Sequence, residues 1–165
     1  MLMCDGILGL GPTMGTNPVD GKLFIEQAYD TGVIDEKIFS LSIQTEKLDS
    51  YLTVGGYDLD QYAQSDLSWH NVVENGYWSL PFEGMFYGDQ IIHKSPPNDT
   101  IIVDSGTSYF LMPPTPFNAF IAKLVRLGIN CWPTETGGMY FISCNCRNPN
   151  SVNRFEDINL VVDNV

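Results

Sequence analysis

The side chains best suited to chemistry lie in one short segment, Asp104-Ser105-Gly106-Thr107-Ser108. The apolar run Ile101-Ile102-Val103 precedes it and predicts a short buried strand that ends at Asp104. A carboxylate at this position can accept hydrogen bonds from backbone N–H groups and hydroxyls, which favour its charged form. Gly106 has no Cβ, so the backbone there can approach a partner loop or a ligand closely. Asp104 is therefore the main candidate for a reactive group.

Asp, Ser and Gly are also common turn residues, so an isolated Asp-Ser-Gly is more often a turn than a site. A second stretch, Asp30-Thr31-Gly32, has the same Asp–hydroxyl–Gly pattern in a different context. The polar, helical segment Glu26-Gln27-Ala28-Tyr29 precedes it, and Val33 follows it in place of Ser or Thr. We interpret Gly32 as the glycine that ends a helix.

The cysteines and histidines are the other candidate groups. Cys4, Cys131, Cys144 and Cys146 allow three complete disulfide pairings. A bridge from Cys131 to Cys144 or to Cys146 would close a loop across a predicted hairpin. A zinc site at Cys144 and Cys146 would need two more ligands close by, and both histidines are far away in the sequence. We therefore predict no metal site.

Composition limits the classes of fold and partner. The 165 residues suit about one domain, or one lobe of a larger molecule, and the 44% hydrophobic content is enough for a core. With 8 basic and 20 acidic residues, the net charge is −12. Such a surface repels nucleic acid backbones and anionic lipids, so we expect neither nucleic acid nor membrane partners. The 15 glycines and 10 prolines favour a turn-rich, β-type chain.

The elements that must position Asp104 follow from the hydrophobic pattern. About eight segments are typical of strands, which makes the chain mainly β: 5–12, 38–43, 51–56, 77–82, 85–92, 101–103, 139–144 and 158–162. Pro81 restricts its strand to a sheet edge or a bulge. One helix is predicted over roughly 20–30. A second begins with Thr115 as N-cap and ends at Gly128, with a stripe of Phe117, Phe120, Ile121, Leu124 and Val125.

Two features bear on the cellular route. The segment Met1–Gly6 lacks a basic region, and Asp5 interrupts its apolar stretch, so we find no signal peptide in this chain. Asn98-Asp99-Thr100 is an N-glycosylation sequon on a Pro-rich loop, and it applies only if the protein enters the secretory route.

Six motifs follow one another in order along the chain: Asp5-Gly-Ile-Leu-Gly-Leu10, Ile38-Phe-Ser-Leu-Ser-Ile43, Leu52-Thr-Val-Gly-Gly56, Tyr77-Trp78, Ile101-Ile-Val-Asp-Ser-Gly-Thr-Ser108 and Tyr140-Phe-Ile-Ser-Cys144. Each motif is weak alone, but the series closely resembles the pepsin-like (family A1) aspartic endopeptidases over almost the whole chain. The resemblance implies a bilobal, mostly β molecule with one Asp-[Ser/Thr]-Gly in each lobe and the substrate in the cleft between them.

The resemblance assigns roles within the candidate segment. Asp104 matches the catalytic aspartate of the second lobe. Ser105 matches the hydroxyl that locks the two catalytic loops together, and Gly106 matches the glycine whose backbone faces the substrate. Thr107 matches the hydroxyl that hydrogen-bonds the outer carboxylate oxygen, and Ser108 belongs to the same supporting loop.

The resemblance also predicts that the chain is incomplete. The first Asp-Thr-Gly of the family would lie upstream of Asp5, and the closing strands of the second lobe would follow Val165. We therefore expect residues 1–54 to be the C-terminal part of the first lobe, and residues 55–165 to be the second lobe, incomplete at its end. Cys144 matches a family cysteine whose disulfide partner would lie beyond Val165.

The function implied by the resemblance is aspartic endopeptidase activity on polypeptide substrates, with no metal and no cofactor. This chain would carry one of the two aspartates, require the missing first lobe, and be inactive alone. The family implies a secreted, lysosomal or vacuolar location. The alternative is a non-catalytic peptide-binding remnant or decoy of the same fold. A homodimer with one Asp104 from each chain is disfavoured, because residues 1–50 resemble the wrong part of the fold.

Overall fold

The computed structural model describes residues 5–12, 21–44, 49–63, 65–73, 76–145 and 153–163. They belong to two compact units, Met1–Trp78 and Ser79–Val165. Eight strands and three helices in the described ranges confirm the mainly β prediction: α1 Phe24–Asp30, β1 Phe39–Ser42, β2 Tyr51–Val54, α2 Leu59–Tyr62, β3 Ser79–Tyr87, β4 Gln90–Lys94, β5 Thr100–Ile102, α3 Pro114–Arg126, β6 Cys131–Thr136, β7 Met139–Cys144 and β8 Ile158–Val162.

Among the described residues of the first unit, β1 and β2 form an antiparallel pair that aligns Phe39 with Val54. The Trp78 indole Nε1 donates a hydrogen bond to the Leu10 carbonyl at 2.8 Å, and its ring meets Phe39 edge-on at 5.6 Å. The predicted strand over 5–12 is wrong, because these residues are irregular and mostly exposed, with Ile7 83% exposed. No strand of the described chain pairs with this Gly-rich segment.

The second unit is built around β3, which pairs antiparallel with β4, β5 and β8. Two segments predicted separately are one continuous strand to Tyr87, which turns at Gly88-Asp89 and returns as β4. Of the two positions predicted for Pro81, a sheet edge or a bulge, the edge is wrong, because β3 is central in its sheet. Pro81 lies near the start of β3 opposite Thr100, just before an irregularity in the pairing with β8 between Phe82 and Gly84. A position near the strand end tolerates the missing N–H.

Helix α3 packs the core of the second unit. Tyr87, Leu124, Ile129 and Cys131 form a buried cluster. The Tyr87 ring meets Phe120 edge-on at 5.3 Å, and its hydroxyl accepts a hydrogen bond from the Glu156 backbone N–H at 3.0 Å. This contact satisfies the polar tip of a ring that is otherwise fully buried.

Two details of α3 differ from prediction. The helix begins at Pro114 with Pro113 as N-cap, so Thr115 is inside it. Proline suits the first helical position because its φ is preset and the N–H there has no intrahelical partner. Val125 is 55% exposed and does not belong to the buried stripe, whereas Leu124 is 1% exposed. The predicted end is confirmed, because the helix stops just before Gly128.

The hairpin of β6 and β7 carries the disulfide. Cys131 and Cys144 lie directly opposite each other and are bonded, with Cα atoms 4.0 Å apart. The partner beyond Val165 that the resemblance implied for Cys144 is therefore not the one in this structure, and of the two local bridges considered, Cys131 to Cys144 is formed. A hairpin was expected between these cysteines, but β6 was not among the predicted strands, because Pro133 and alternating polar residues obscure it. Gly137-Gly138, both at positive φ, gave the available signal for a hairpin turn.

We expect the double variant Cys131→Ala/Cys144→Ala to lower the free energy of unfolding by about 3 kcal/mol. The bridge restricts the conformational entropy of the unfolded chain, and its removal makes the unfolded state more favourable. Urea denaturation of the oxidised chain measures the loss. Cys146→Ala is the matched control and should leave the midpoint unchanged. An equal loss in Cys146→Ala would contradict the Cys131–Cys144 pairing.

Candidate active site

Asp104 lies in a tight turn just after β5. The Gly106 backbone N–H donates a hydrogen bond to Asp104 Oδ1 at 2.7 Å. A Cβ added at Gly106 would lie 3.0 Å from the same oxygen, so the carboxylate approaches this backbone closely. This contact is within the loop, and the predicted approach of the Gly106 backbone to a partner loop or a ligand stays a prediction. An Asp that accepts from the residue two positions on also forms an Asx turn, so this contact alone does not separate a site from a turn cap.

The strand that leads to Asp104 is not buried, which corrects the prediction. Ile102 is 48% exposed and Val103 is 61% exposed. In the described chain β5 pairs with β3 and with no other strand, so one side of it is a sheet edge. Apolar β-branched residues therefore lead to Asp104, as the sequence indicated, but Ile101 is only half-buried and the side chains of Ile102 and Val103 face solvent.

The remaining predicted site residues lie in the same loop. Ser105, Gly106 and Ser108 are exposed, and Thr107 is half-buried. The Thr107 hydroxyl accepts a hydrogen bond from the Tyr109 backbone N–H at 3.3 Å. Asp104 accepts its described hydrogen bond from Gly106 instead, so the predicted contact between Thr107 and Asp104 is not among the hydrogen bonds of the described residues.

An aromatic contact that the sequence analysis missed anchors this loop. The rings of Tyr109 and Phe141 meet edge-on with centroids 5.1 Å apart, which ties the loop to β7. This contact links the C-terminal end of the loop to β7, with the Tyr109 ring still 63% exposed. Its sequence signal is weak, because Tyr109 follows the motif directly and Phe141 belongs to a strand 32 positions later.

The second Asp–hydroxyl–Gly stretch is a helix end, as predicted. Asp30 is the last residue of α1 and forms an ion pair with Lys22. The hydrogen bond that the Lys22 ammonium donates to the Asp30 carboxylate lowers the pKa of Asp30 and raises the pKa of Lys22. The Thr31 hydroxyl donates to the Gln27 carbonyl at 2.8 Å, and Gly32 follows with φ of 71°. These partners account for all three residues without a catalytic role.

A polar cavity of about 510 Å³ lies elsewhere in the second unit, lined by Gly88, Asp89, Gln90, Lys123, Glu156, Asp157 and Asn159. None of these residues belongs to the Asp104 loop. Within the described ranges, no group of three or more His, Cys, Asp or Glu side chains could hold a metal ion. No described helix combines the length and apolar character that crossing a bilayer requires.

The group in this loop that can take part in chemistry is the carboxylate of Asp104. Asp104 is open to solvent, and its oxygens can exchange a proton or accept hydrogen bonds from a ligand. Activation of a water by a pair of carboxylates that share a proton needs a second carboxylate beside the first. The Asp104 loop supplies one member of such a pair.

Comparison with known proteins gives a consistent result. A family model described as eukaryotic aspartyl protease matches residues 1–164. Similar curated proteins include cathepsin E of Rattus norvegicus, 31% identical over 147 residues, and vacuolar protease A of Aspergillus fumigatus, 30% identical over 147 residues. Aspartic protease 1 of Toxoplasma gondii is 29% identical over 142 residues.

The matches cover most of this chain and a minor part of each relative. They include 85%, 87% and 85% of the chain for cathepsin E, vacuolar protease A and aspartic protease 1. In the same order they include 33%, 34% and 22% of the relatives' own lengths. The chain thus spans about a third or less of the length of these relatives.

Proposed function

The chain belongs to the eukaryotic aspartyl protease family, and from this premise we propose that it is part of a pepsin-like aspartic endopeptidase in which Asp104 is one of two catalytic aspartates. The observation that carries the proposal is the family match over residues 1–164 together with the Asp104 turn. That turn presents a solvent-open carboxylate, held by the Gly106 N–H, at the end of a strand.

The neighbouring residues support Asp104 in this proposal. Gly106 holds the carboxylate through its N–H and presents its backbone toward the substrate. Ser105 is exposed and free to hydrogen-bond the corresponding loop of the other lobe. Thr107 and Ser108 shape the loop, and in the complete molecule the Thr107 hydroxyl turns to the outer oxygen of Asp104.

The proposed reaction is hydrolysis of a peptide bond in polypeptide substrates. Two carboxylates about 3 Å apart cannot both be ionised, so the pair holds one shared proton. Aspartic proteases are the standard example of such a pair. The ionised member takes a proton from a water molecule, whose oxygen attacks the scissile carbonyl carbon. The protonated member hydrogen-bonds the carbonyl oxygen. The C–N bond then breaks, its electron pair goes to the nitrogen, and the nitrogen takes up a proton from the carboxyl pair. This mechanism therefore needs neither metal nor cofactor.

The second aspartate comes from the first lobe in this proposal. Residues 1–54 form the C-terminal part of that lobe and residues 55–165 form the second lobe, so the chain alone is inactive. A secreted, lysosomal or vacuolar location is part of the proposal. The names cathepsin E and vacuolar protease A among the relatives support it, as does the Cys131–Cys144 disulfide, since such bonds persist mainly in oxidising compartments.

A second candidate is a non-catalytic peptide-binding remnant or decoy of this fold. The observation in its favour is that the hydrogen bond from Gly106 to Asp104 is also an ordinary Asx turn. In that case Asp104 would keep the loop in shape, and no proton transfer would depend on it.

Peptidase assays across pH test the proposal. The protein extended by the first lobe should cleave polypeptides best in acid. Rising pH ionises both carboxylates and removes the shared proton, and very low pH protonates the base. The 165-residue chain should be inactive at every pH. Peak activity at neutral pH, or full activity of the 165-residue chain, would contradict this two-aspartate mechanism.

A further inference from the structure

The loop between β4 and β5 carries a modification signal that the proteolytic role does not use. Asn98-Asp99-Thr100 is the only Asn-x-Ser/Thr tripeptide without a central proline in the 165 residues. We infer that Asn98 is an acceptor for an N-linked oligosaccharide when the chain passes through the secretory route. The inference rests on the route given in the proposed function and is independent of the catalytic chemistry.

The backbone places Asn98 at the tip of a turn. The Asp99 N–H donates a hydrogen bond to the Pro96 carbonyl at 3.2 Å, which closes a four-residue turn. Asn98 has φ of 66°, a left-handed conformation that asparagine tolerates better than most residues. Its side chain is exposed, so a bulky polar group on Nδ2 would project into solvent without displacing the core.

The position of Thr100 indicates whether glycosylation comes before or after the pairing of β5 with β3. Thr100 is the first residue of β5, is half-buried, and aligns with Pro81 of β3. A transferase that must reach both Asn98 and Thr100 therefore acts before β5 pairs with β3. The sugar already attached at the exposed turn then does not oppose that pairing.

The disulfide places the chain in a suitable compartment. Cys131 and Cys144 are bonded across the β6–β7 hairpin, and such bonds form in the oxidising lumen of the secretory route. That lumen is also where N-glycans are added in eukaryotes. Two features far apart in the sequence, the bridge and the sequon, therefore indicate the same environment.

The transfer is a substitution with no oxidation or reduction. The co-reactant is an oligosaccharide linked through a diphosphate to a lipid of the lumenal membrane. A bond forms between Asn98 Nδ2 and the anomeric carbon of the first sugar, and the bond from that carbon to the diphosphate oxygen breaks. The lipid diphosphate leaves with the electron pair, and Nδ2 loses one proton to a base of the transferase.

The glycan and the Asp104 loop lie at opposite ends of β5. Asn98 precedes the strand and Asp104 follows it. The three residues of β5 alone span roughly 10 Å at the usual rise of a strand. A glycan at Asn98 is therefore compatible with substrate access to Asp104.

Translation of the 165-residue chain behind a cleavable signal sequence, in the presence of microsomes, tests the inference. We expect one discrete upward shift in gel mobility that an endoglycosidase removes. Asn98→Gln and Thr100→Ala should each abolish the shift, whereas Thr100→Ser preserves the sequon and should retain it. This readout needs neither a folded product nor peptidase activity, so its outcome is separate from that of the catalytic proposal.

A positive control makes a negative result decisive. Val73→Thr creates a second sequon at Asn71, in a segment where both residues are exposed. The variant should show two shifts if Asn98 is an acceptor. A single shift in Val73→Thr together with none in the wild-type chain would show that translocation occurred and would overturn the inference, as would a shift that persists in Asn98→Gln.

Discussion

Asp104→Asn in the protein that contains both lobes should lower kcat by about 10²–10⁴-fold, the usual contribution of a general acid–base group. The amide has nearly the size of the carboxylate, and its Oδ1 can still accept the hydrogen bond from Gly106 that holds the turn. It cannot ionise, so the pair can no longer share and transfer a proton. We expect KM and the free energy of unfolding to change little. Steady-state peptidase assays and urea denaturation measure the two effects.

Asp99→Asn is the matched control. Asp99 precedes β5 and accepts a local hydrogen bond from the Thr100 N–H at 3.1 Å, much as Asp104 does after the strand. This variant should retain kcat. If Asp104→Asn keeps the full kcat, Asp104 is only a turn residue, for which asparagine is a good replacement. Unlike Asp104→Asn, Ser105→Ala should lower both the free energy of unfolding and kcat. The reason is that the Ser105 hydroxyl is proposed to hydrogen-bond the corresponding loop of the other lobe.

The sequence alone was sufficient for several local features of both units. The strand over 139–144 and the strand over 158–162 have the bounds that the alternating pattern predicted. The helix ends at Gly32 and Gly128 were also correct, because glycine at the position after a helix depends on local backbone conformation. Asp104 likewise lies two residues after the end of β5 and within a turn, close to where the residue types around it indicated.

Features that depend on what packs against a segment could not be read from the pattern. Ile102 and Val103 have the residue types of a buried strand, but burial requires a covering element, and β5 has only β3 beside it in the described chain. The pairing of Cys131 with Cys144 required the register of β6 against β7, and β6 itself was missed. The contact between Tyr109 and Phe141 is likewise set by tertiary packing.

Helix α3 illustrates the same limit at single-residue resolution. The apolar pattern placed Leu124 and Val125 in one stripe, although neighbouring helical residues point about 100° apart. The structure buries Leu124 against Tyr87, Ile129 and Cys131 and leaves Val125 in solvent. Which of the two is buried depends on the position of β4 and β6 beside the helix, and this position is not encoded in the helix alone.

Leu124→Ala should therefore lower the free energy of unfolding by about 3–4 kcal/mol, within the range for buried leucines in well-packed cores. Leu124 is 1% exposed at the centre of the cluster, and the truncation removes both its burial and its packing contacts. Single domains are stable by only about 5–15 kcal/mol, so this is a large fraction of the total. Urea denaturation of the 165-residue chain should show a lower midpoint with an unchanged slope.

Val125→Ala is the matched control, since it shortens the adjacent side chain of the same helix at a 55% exposed position. Its effect should stay within about 0.5 kcal/mol, as for most surface substitutions. The difference between the two variants tests which face of α3 is buried, because helix propensity alone would make either alanine neutral or slightly stabilising. Equal losses in both variants would mean that α3 packs with both residues inside, and a larger loss in Val125→Ala would reverse the assigned face.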